Sequence, residues 1–142
     1  MTARPAMRPA RRITVYCPVA PETLVAVARG DFSLLEQDAG IAPILELIEE
    51  SGELGNFGRY RGVCEVGVGL EAFTPQAGAV PTVGFAGERS QSPTLTVTTY
   101  VLDDVAPARF DALVAAIADR HPWEIPVIEV VGVRLYRPAS GT

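Results

Sequence analysis

The run His-Pro-Trp-Glu-Ile-Pro, from His121 to Pro126, is the feature that most constrains the fold. It joins a stretch of helical periodicity to an apolar stretch of β-forming residues, and it holds the protein's one histidine and one tryptophan. Because a residue that precedes proline avoids the α-helical region, we expect the helix to end at His121. The two prolines then restrict the path of the chain into the next strand. The run therefore predicts a fixed junction between a helix and a strand.

Hydrophobic periodicity along the rest of the chain predicts an alternation of strands and helices. The predicted strands cover 13–19, 63–73, 95–102 and 125–136, with a short one near 82–86. The predicted helices cover about 22–28, a segment that follows Pro43, and 107–120. The order β-α-β-β-α-β is typical of an α+β, ferredoxin-like domain with an antiparallel sheet.

The length of 142 residues fits one domain, which we assign to 13–138. Residues 1–12 hold four of the 12 arginines and no apolar stretch, so we expect a disordered basic tail there, and a second disordered tail over 139–142. The rest of the chain carries eight arginines against 17 acidic residues, which argues against a nucleic-acid partner. No apolar run approaches the roughly 18 residues of a membrane span. Two cysteines without a secretory signal favour the cytoplasm.

The last predicted strand is apolar on both sides, although an antiparallel sheet with helices on one face leaves the other face uncovered. Its apolar residues are Val127, Ile128, Val130, Val131, Val133 and Leu135. Burial between copies of the chain would cover them, which predicts a homo-oligomer. Aromatic anchors dominate subunit interfaces, so we place Trp123 at this contact together with Pro122 and Pro126.

Two groups of residues resemble a known family. The His121–Pro126 run resembles the His-Pro-Tyr-Glu-x-Pro signature of CutA-like proteins, and with the middle of the chain it resembles the YqfO-type domain still more closely. The matching middle positions are Gly55-Asn56-Phe57, Cys64, Gly67, Gly69, Phe73, Pro75, Gly78-Ala79, Pro81, Gly84 and Gly87. The resemblance implies a trimer-forming, CutA-like oligomer of the PII and CutA superfamily. It does not imply the dinuclear metal centre of the larger family, whose ligands lie outside this domain.

A metal site is one candidate for chemistry at the junction. His121 ends a helix, where the macrodipole favours a protonated imidazole, and Glu124 follows three residues later. Since two ligands do not fill a metal site, Cys17 or Cys64 would complete it, from the same chain or a neighbouring subunit. CutA-type proteins have been linked to copper tolerance, so the resemblance implies a divalent or copper ion. We favour the alternative, a structural turn at a subunit contact in which His121 has a raised pKa.

The glycine-rich segment 52–62 is a second candidate. Exposed backbone N–H groups beside arginines can cradle an anion or a nucleotide phosphate. The residues assigned to this role are Gly55, Asn56, Gly58, Arg59 and Arg61. The protein contains no lysine, which excludes a P-loop and Schiff-base chemistry. The alternative is a tight turn that only glycines can follow.

The sequence therefore predicts a small cytoplasmic protein that binds a ligand or regulates a partner, associates with itself and has no chemistry of its own. We identify no catalytic residue and no certain cofactor. A metal-ion-binding protein, with a divalent or copper ion, is the first alternative. An enzyme or sensor that binds a nucleotide-like anion at the glycine-rich segment is the second.

Overall fold

A computed structural model of the protein describes residues 4–138, which form a four-stranded antiparallel sheet and three α-helices. The strands are β1 (Ala6–Pro18), β2 (Cys64–Phe73), β3 (Ser90–Leu102) and β4 (Ile128–Arg137). The helices are α1 (Pro21–Ala28), α2 (Ala42–Ser51) and α3 (Pro107–Arg120), with a short 3₁₀ helix at Leu35–Gln37. In the sheet the strands lie in the order β2-β3-β1-β4. The predicted α+β class and antiparallel sheet are confirmed.

Prolines and glycines set the ends of the helices. Pro21 and Pro107 are the first residues of α1 and α3, where the missing N–H has no helical partner to lose. Gly52 ends α2 with a φ of 78°, a left-handed conformation that glycine adopts without strain. His121 follows α3 in extended conformation, as expected of a residue before proline. In residues 4–138, we find no helix that is both long and apolar enough to cross a membrane.

The hydrophobic core lies between the helices and one face of the sheet. The central strands β1 and β3 provide its largest share, and α2 and α3 cover them with the apolar faces of amphipathic helices. The principal core residues are Ile13, Val15, Leu95, Val97, Val101, Ile44, Leu47, Ile48, Phe110, Leu113 and Ile117. Burial on this scale is the main source of stability for a domain of this size.

The opposite face of the sheet is polar at its centre. The hydroxyl oxygens of Thr14 and Thr98 lie 3.2 Å apart, and the Tyr16 hydroxyl donates to Glu129 at 2.5 Å. These groups can face water, so the uncovered face does not demand a partner. Exposed apolar side chains lie instead along the two outer strands, β2 and β4.

The first strand is longer than predicted, and the assignment of residues 6–12 to a disordered tail is wrong. This segment pairs with both neighbours of β1: Ala10 lies opposite Leu102 in β3, and Ala6 lies opposite Arg137 in β4. Its arginines and prolines hide the strand in the sequence, because only distant partners stabilise it. The first three residues and the second predicted tail, 139–142, lie outside the described residues.

The segment between β2 and β3 also differs from expectation. The short strand predicted near 82–86 is not formed, and Gly84 turns there with a φ of 88°. In exchange, β3 begins five residues before the predicted start and includes Pro93. The missing N–H of Pro93 costs no ladder bond, because β1 ends its pairing at Pro18, and the Pro93 carbonyl instead accepts from Val19 N–H at 3.0 Å.

A chain that lacks residues 1–12 should therefore melt at a temperature lower by ~5 °C or more, since ~1 kcal/mol corresponds to roughly 2–4 °C in domains of similar size. The deletion removes strand pairing on both sides of β1. Thermal unfolding followed by circular dichroism measures the effect. Arg8→Ala is the control, because it removes the Arg8–Asp103 ion pair but leaves the strand pairing of β1 in place, and it should lower the melting temperature by much less. An unchanged melting temperature in the deleted chain would restore the tail interpretation.

Candidate functional site

The junction after α3 is held by both ring nitrogens of His121. Nε2–H donates to the carbonyl oxygen of Tyr16 at 2.6 Å, and Nδ1 accepts from the Trp123 N–H at 3.0 Å. This pattern requires a neutral imidazole with its proton on Nε2. The buried ring thus ties the end of α3 to β1 and fixes the turn that carries Trp123.

The predicted rise in the pKa of His121 is wrong. Burial of the imidazole lowers the pKa, and the hydrogen bond to the Tyr16 carbonyl opposes this only in part. The helix end was expected to favour the charged form, but removal of the ring from water outweighs it. His121 is therefore neutral in the folded protein near pH 7.

The predicted metal ligands do not come together in the chain. Both nitrogens of His121 are engaged, and Glu124 Oε1 accepts from the Val80 N–H at 3.1 Å. Cys17 is fully buried, and burial raises the pKa of its thiol to about 12. Cys64 is the first residue of β2, and Phe73, which packs on Trp123, is the last. The nine residues of strand between them place Cys64 about 30 Å from Phe73. Across residues 4–138, no three His, Cys, Asp or Glu side chains form a group that could hold a metal ion.

The glycine-rich segment 52–62 uses several of its predicted anion-binding donors for contacts within the chain. Gly55 N–H donates to the Tyr100 carbonyl at 2.7 Å, and Gly58 N–H donates to the Asn56 side chain at 2.9 Å. Arg61 pairs with Glu49, while Arg59 is exposed. The N–H groups of Gly55 and Gly58 are thus used within the chain, while Arg59 remains exposed, and the anion site stays a prediction. At Gly55 a Cβ would lie 2.2 Å from the Val63 carbonyl oxygen, which explains the glycine.

Trp123 packs inside the chain rather than standing free for a neighbour. Its ring meets Phe73 edge to face with centroids 5.2 Å apart, and Nε1 is buried with no acceptor among the described residues. Pro122 is exposed but its carbonyl accepts from the Thr82 hydroxyl at 3.0 Å. Pro126 is half-buried. The interface role of these three residues stays a prediction.

A cavity of about 320 Å³ opens beside Trp123, and we call it the Trp123 cavity. Three segments distant in sequence form its walls: the end of β2, the segment 79–83 and the turn at 123–125. Its lining residues include Glu71, Phe73, Pro75, Val80, Pro81, Trp123, Glu124 and Ile125. Two hydrogen bonds, from Val80 N–H to Glu124 and from the Thr82 hydroxyl to the Pro122 carbonyl, hold the second and third walls together.

Glu71 is one of the two carboxylates that line this cavity, and its side chain is half-buried. Burial raises its pKa, and a hydrogen bond from the Thr94 hydroxyl at 3.2 Å partly opposes the rise. No sequence pattern indicates a role for Glu71, since it has the form of an ordinary polar position in an alternating strand. The cavity beside Glu71 forms only because the segment 74–89, between β2 and β3, packs next to the end of β2.

Comparison with known proteins finds a similar fold but indicates no function. No protein-family model and no curated protein match the chain. The crystal structure of a Bacillus cereus protein related to NIF3 is similar, with a TM-score of 0.57 and 15% sequence identity over 92% of this chain. The chain spans only 27% of that protein's length. At this identity the likeness shows a shared fold alone.

This finding corrects the family suggested by the sequence. The structural neighbour is NIF3-related, so the identification as a CutA-like or YqfO-type protein is wrong. The matched residues explain the error. His121 and the prolines after it fix a turn, and glycines such as Gly55 permit close backbone contacts. Such local requirements can produce the same short pattern in different families.

Proposed function

We propose that this chain is a binding module of ferredoxin-like architecture whose copies join through the edges of their sheets. The strand order β2-β3-β1-β4, with β1 and β3 at the centre, supports this architecture. The match to about a quarter of a longer NIF3-related protein supports a modular role, because the same fold there accounts for only part of a chain.

The observation that carries the proposal is the apolar character of both edge strands. On β2, Val68 and Leu70 are 52% and 60% exposed, and on β4, Val130 and Val131 are 43% and 41% exposed. Edge strands are usually short, charged or interrupted by proline, which prevents pairing with other chains. Both edge strands here are ten residues long and contain no proline.

The directions of the strands suit a ring. Each neighbouring pair in the sheet is antiparallel, so β2 and β4 run in opposite directions. A second copy, rotated about an axis parallel to the strands, therefore presents its β4 antiparallel to β2 of the first. Such a head-to-tail contact closes when the rotation completes a circle. We propose three copies, with two as the alternative.

Within this assembly the chain binds a ligand and performs no reaction of its own. A metal-binding role has no ligand group in the described residues to support it, and a nucleotide-anion role has less support because the N–H groups of Gly55 and Gly58 are used within the chain. A binding role is supported by the Trp123 cavity, which is preformed and lies at the end of the sheet.

Light scattering after gel filtration should give a mass of about three chains at micromolar concentration. Leu70→Glu and Val130→Glu should each yield a folded monomer, because every contact in the ring uses one β2 and one β4. Val130→Thr is the matched control, since it keeps the β-branched shape and should leave the assembly intact. A monomeric wild type would overturn the proposal.

A mixture of the two charged variants separates the ring from a symmetric dimer. In the ring, the intact β4 of Leu70→Glu pairs with the intact β2 of Val130→Glu, so the mixture should contain a two-chain species. In a dimer that joins β4 to β4, Leu70→Glu alone would not dissociate the complex. That result would leave self-association in place but contradict the head-to-tail contact.

A further inference from the structure

We infer that the Trp123 cavity binds a small organic ammonium ion whose apolar body packs against Phe73 and Trp123 while Glu71 and Glu124 face its charge. The inference names the ligand class for the proposed binding module and rests on that function. The cavity volume, about 320 Å³, lies near the lower limit of roughly 300 Å³ for ligand pockets, so the ligand is small.

The charged side chains that line the cavity are all acidic. Glu71 and Glu124 are its only charged lining residues in the described part of the chain, and neither forms an ion pair with an arginine there. Arginine is the only basic residue type in the protein other than its single histidine, and none of the arginines at 4–137 lines this cavity. A positive charge on the ligand therefore balances the negative charges of Glu71 and Glu124.

The apolar walls favour an organic cation over a hydrated metal ion. Phe73 and Trp123 present aromatic rings, and Pro75, Val80 and Ile125 add further apolar surface. Aromatic faces attract ammonium groups through the ring quadrupole, and they bury the carbon skeleton attached to them. Burial of Glu71, which raises its pKa, shows that water is partly excluded from the carboxylate, and this strengthens its attraction for a bound cation.

The two hydrogen bonds across the walls give the cavity a fixed shape before binding. Glu124 Oε1 accepts from the Val80 N–H, which leaves its other carboxylate oxygen for a ligand. Because the turn at 123–125 is itself fixed by His121, little ordering is needed when a ligand enters.

Trp123 is the one tryptophan of the protein, so tryptophan fluorescence reports on the surroundings of this single ring, and the variants below assign the effect to the cavity. We would titrate the wild-type protein with 2-phenylethylammonium, and with 2-phenylethanol and 3-phenylpropionate as neutral and anionic molecules of similar shape. The expected result is a saturable change with the ammonium ion, about tenfold weaker binding of the alcohol and no binding of the carboxylate. Equal binding of the alcohol would contradict the role of charge, and no change with any probe would contradict the site.

Three variants test whether the ammonium ion binds in the Trp123 cavity. Glu71→Gln should weaken binding of the ammonium ion about tenfold, whereas Glu46→Gln, an exposed position on α2 outside the cavity, should leave it unchanged. Val80→Arg serves as a second test that does not disturb the core, because Val80 is mostly exposed and an arginine there places a competing cation at the rim. It should abolish binding. Unchanged binding in Glu71→Gln and Val80→Arg would overturn the inference.

Light scattering on the same samples distinguishes the two proposals. Loss of ammonium binding by an intact oligomer would contradict only the ligand class. A wild-type monomer that still binds the ammonium ion at Trp123 would contradict only the assembly.

Discussion

Replacement of Gly40 by alanine should lower the free energy of unfolding by ~3 kcal/mol, because it forces an overpacked contact in the interior. Gly40 is buried in the turn that leads into α2, and a Cβ on it would lie 1.6 Å from the carbonyl oxygen of Pro18. That oxygen belongs to the backbone at the end of β1, so no side-chain rotation relieves the clash. Asp38 further restricts the turn, since its carboxylate accepts from both Gly40 N–H and Ala20 N–H at 2.9 Å.

Denaturant unfolding measures this loss, and thermal unfolding should show a decrease of roughly 10 °C. Gly69→Ala is the matched control. At Gly69 a Cβ meets only the Thr94 carbonyl oxygen, at an ordinary 3.8 Å, so the change should stay within ~0.5 kcal/mol. If Gly40→Ala were as stable as Gly69→Ala, the close approach of this turn to β1 would be contradicted.

The features that the sequence predicted correctly are those with a local cause. The end of α3 at His121 follows from one steric rule about residues before proline. The amphipathic helix from Pro107 and the alternation of threonines in β3 likewise need no knowledge of distant residues. The antiparallel α+β class follows from the order of such elements.

The errors lie where a distant partner decides the structure. Residues 6–12 look like a basic tail until β4, more than a hundred residues later, provides the pairing partners from Val131 to Arg137. In the glycine-rich segment, the N–H groups of Gly55 and Gly58 look available for an anion until the Tyr100 carbonyl and the Asn56 side chain are seen to accept them. In both cases the residue types were read correctly and their partners were not predictable.

The Trp123 cavity shows the same limit for function. Its walls come from the end of β2, the segment 79–83 and the turn at 123–125, and only the last of these contains candidate site residues predicted from the sequence. For His121 the sequence left two roles open, a metal ligand and the favoured structural turn. The structure makes His121 the residue that positions the turn, because both of its nitrogens are used for hydrogen bonds within the chain.

His121→Ala should therefore destabilise the protein by ~2–4 kcal/mol. The substitution removes two hydrogen bonds, leaves the Tyr16 carbonyl and the Trp123 N–H without their partner, and creates a cavity at a buried position. The Trp123 fluorescence spectrum should change as well, because the turn that carries the ring is released. Glu46→Gln, remote from the turn, is the control for both measurements.

The pH dependence of stability gives a second test, with a defined sign. Because the pKa of His121 is lowered in the folded state, the unfolded chain takes up the proton first as the pH falls through about 6.5. Stability is thus complete above this pH and is lost toward the folded pKa, by at most ~1.4 kcal/mol between pH 6.5 and 5.5.

Glu71, with a raised pKa, acts in the opposite direction, so the comparison is made in the Glu71→Gln background. As the protein has no other histidine, His121→Ala should remove this loss of stability. If stability in the Glu71→Gln background instead rose as the pH fell from 7.5 to 5.5, and His121→Ala removed that rise, the imidazole would be protonated in the folded state, and the hydrogen bond from Trp123 to Nδ1 would be contradicted.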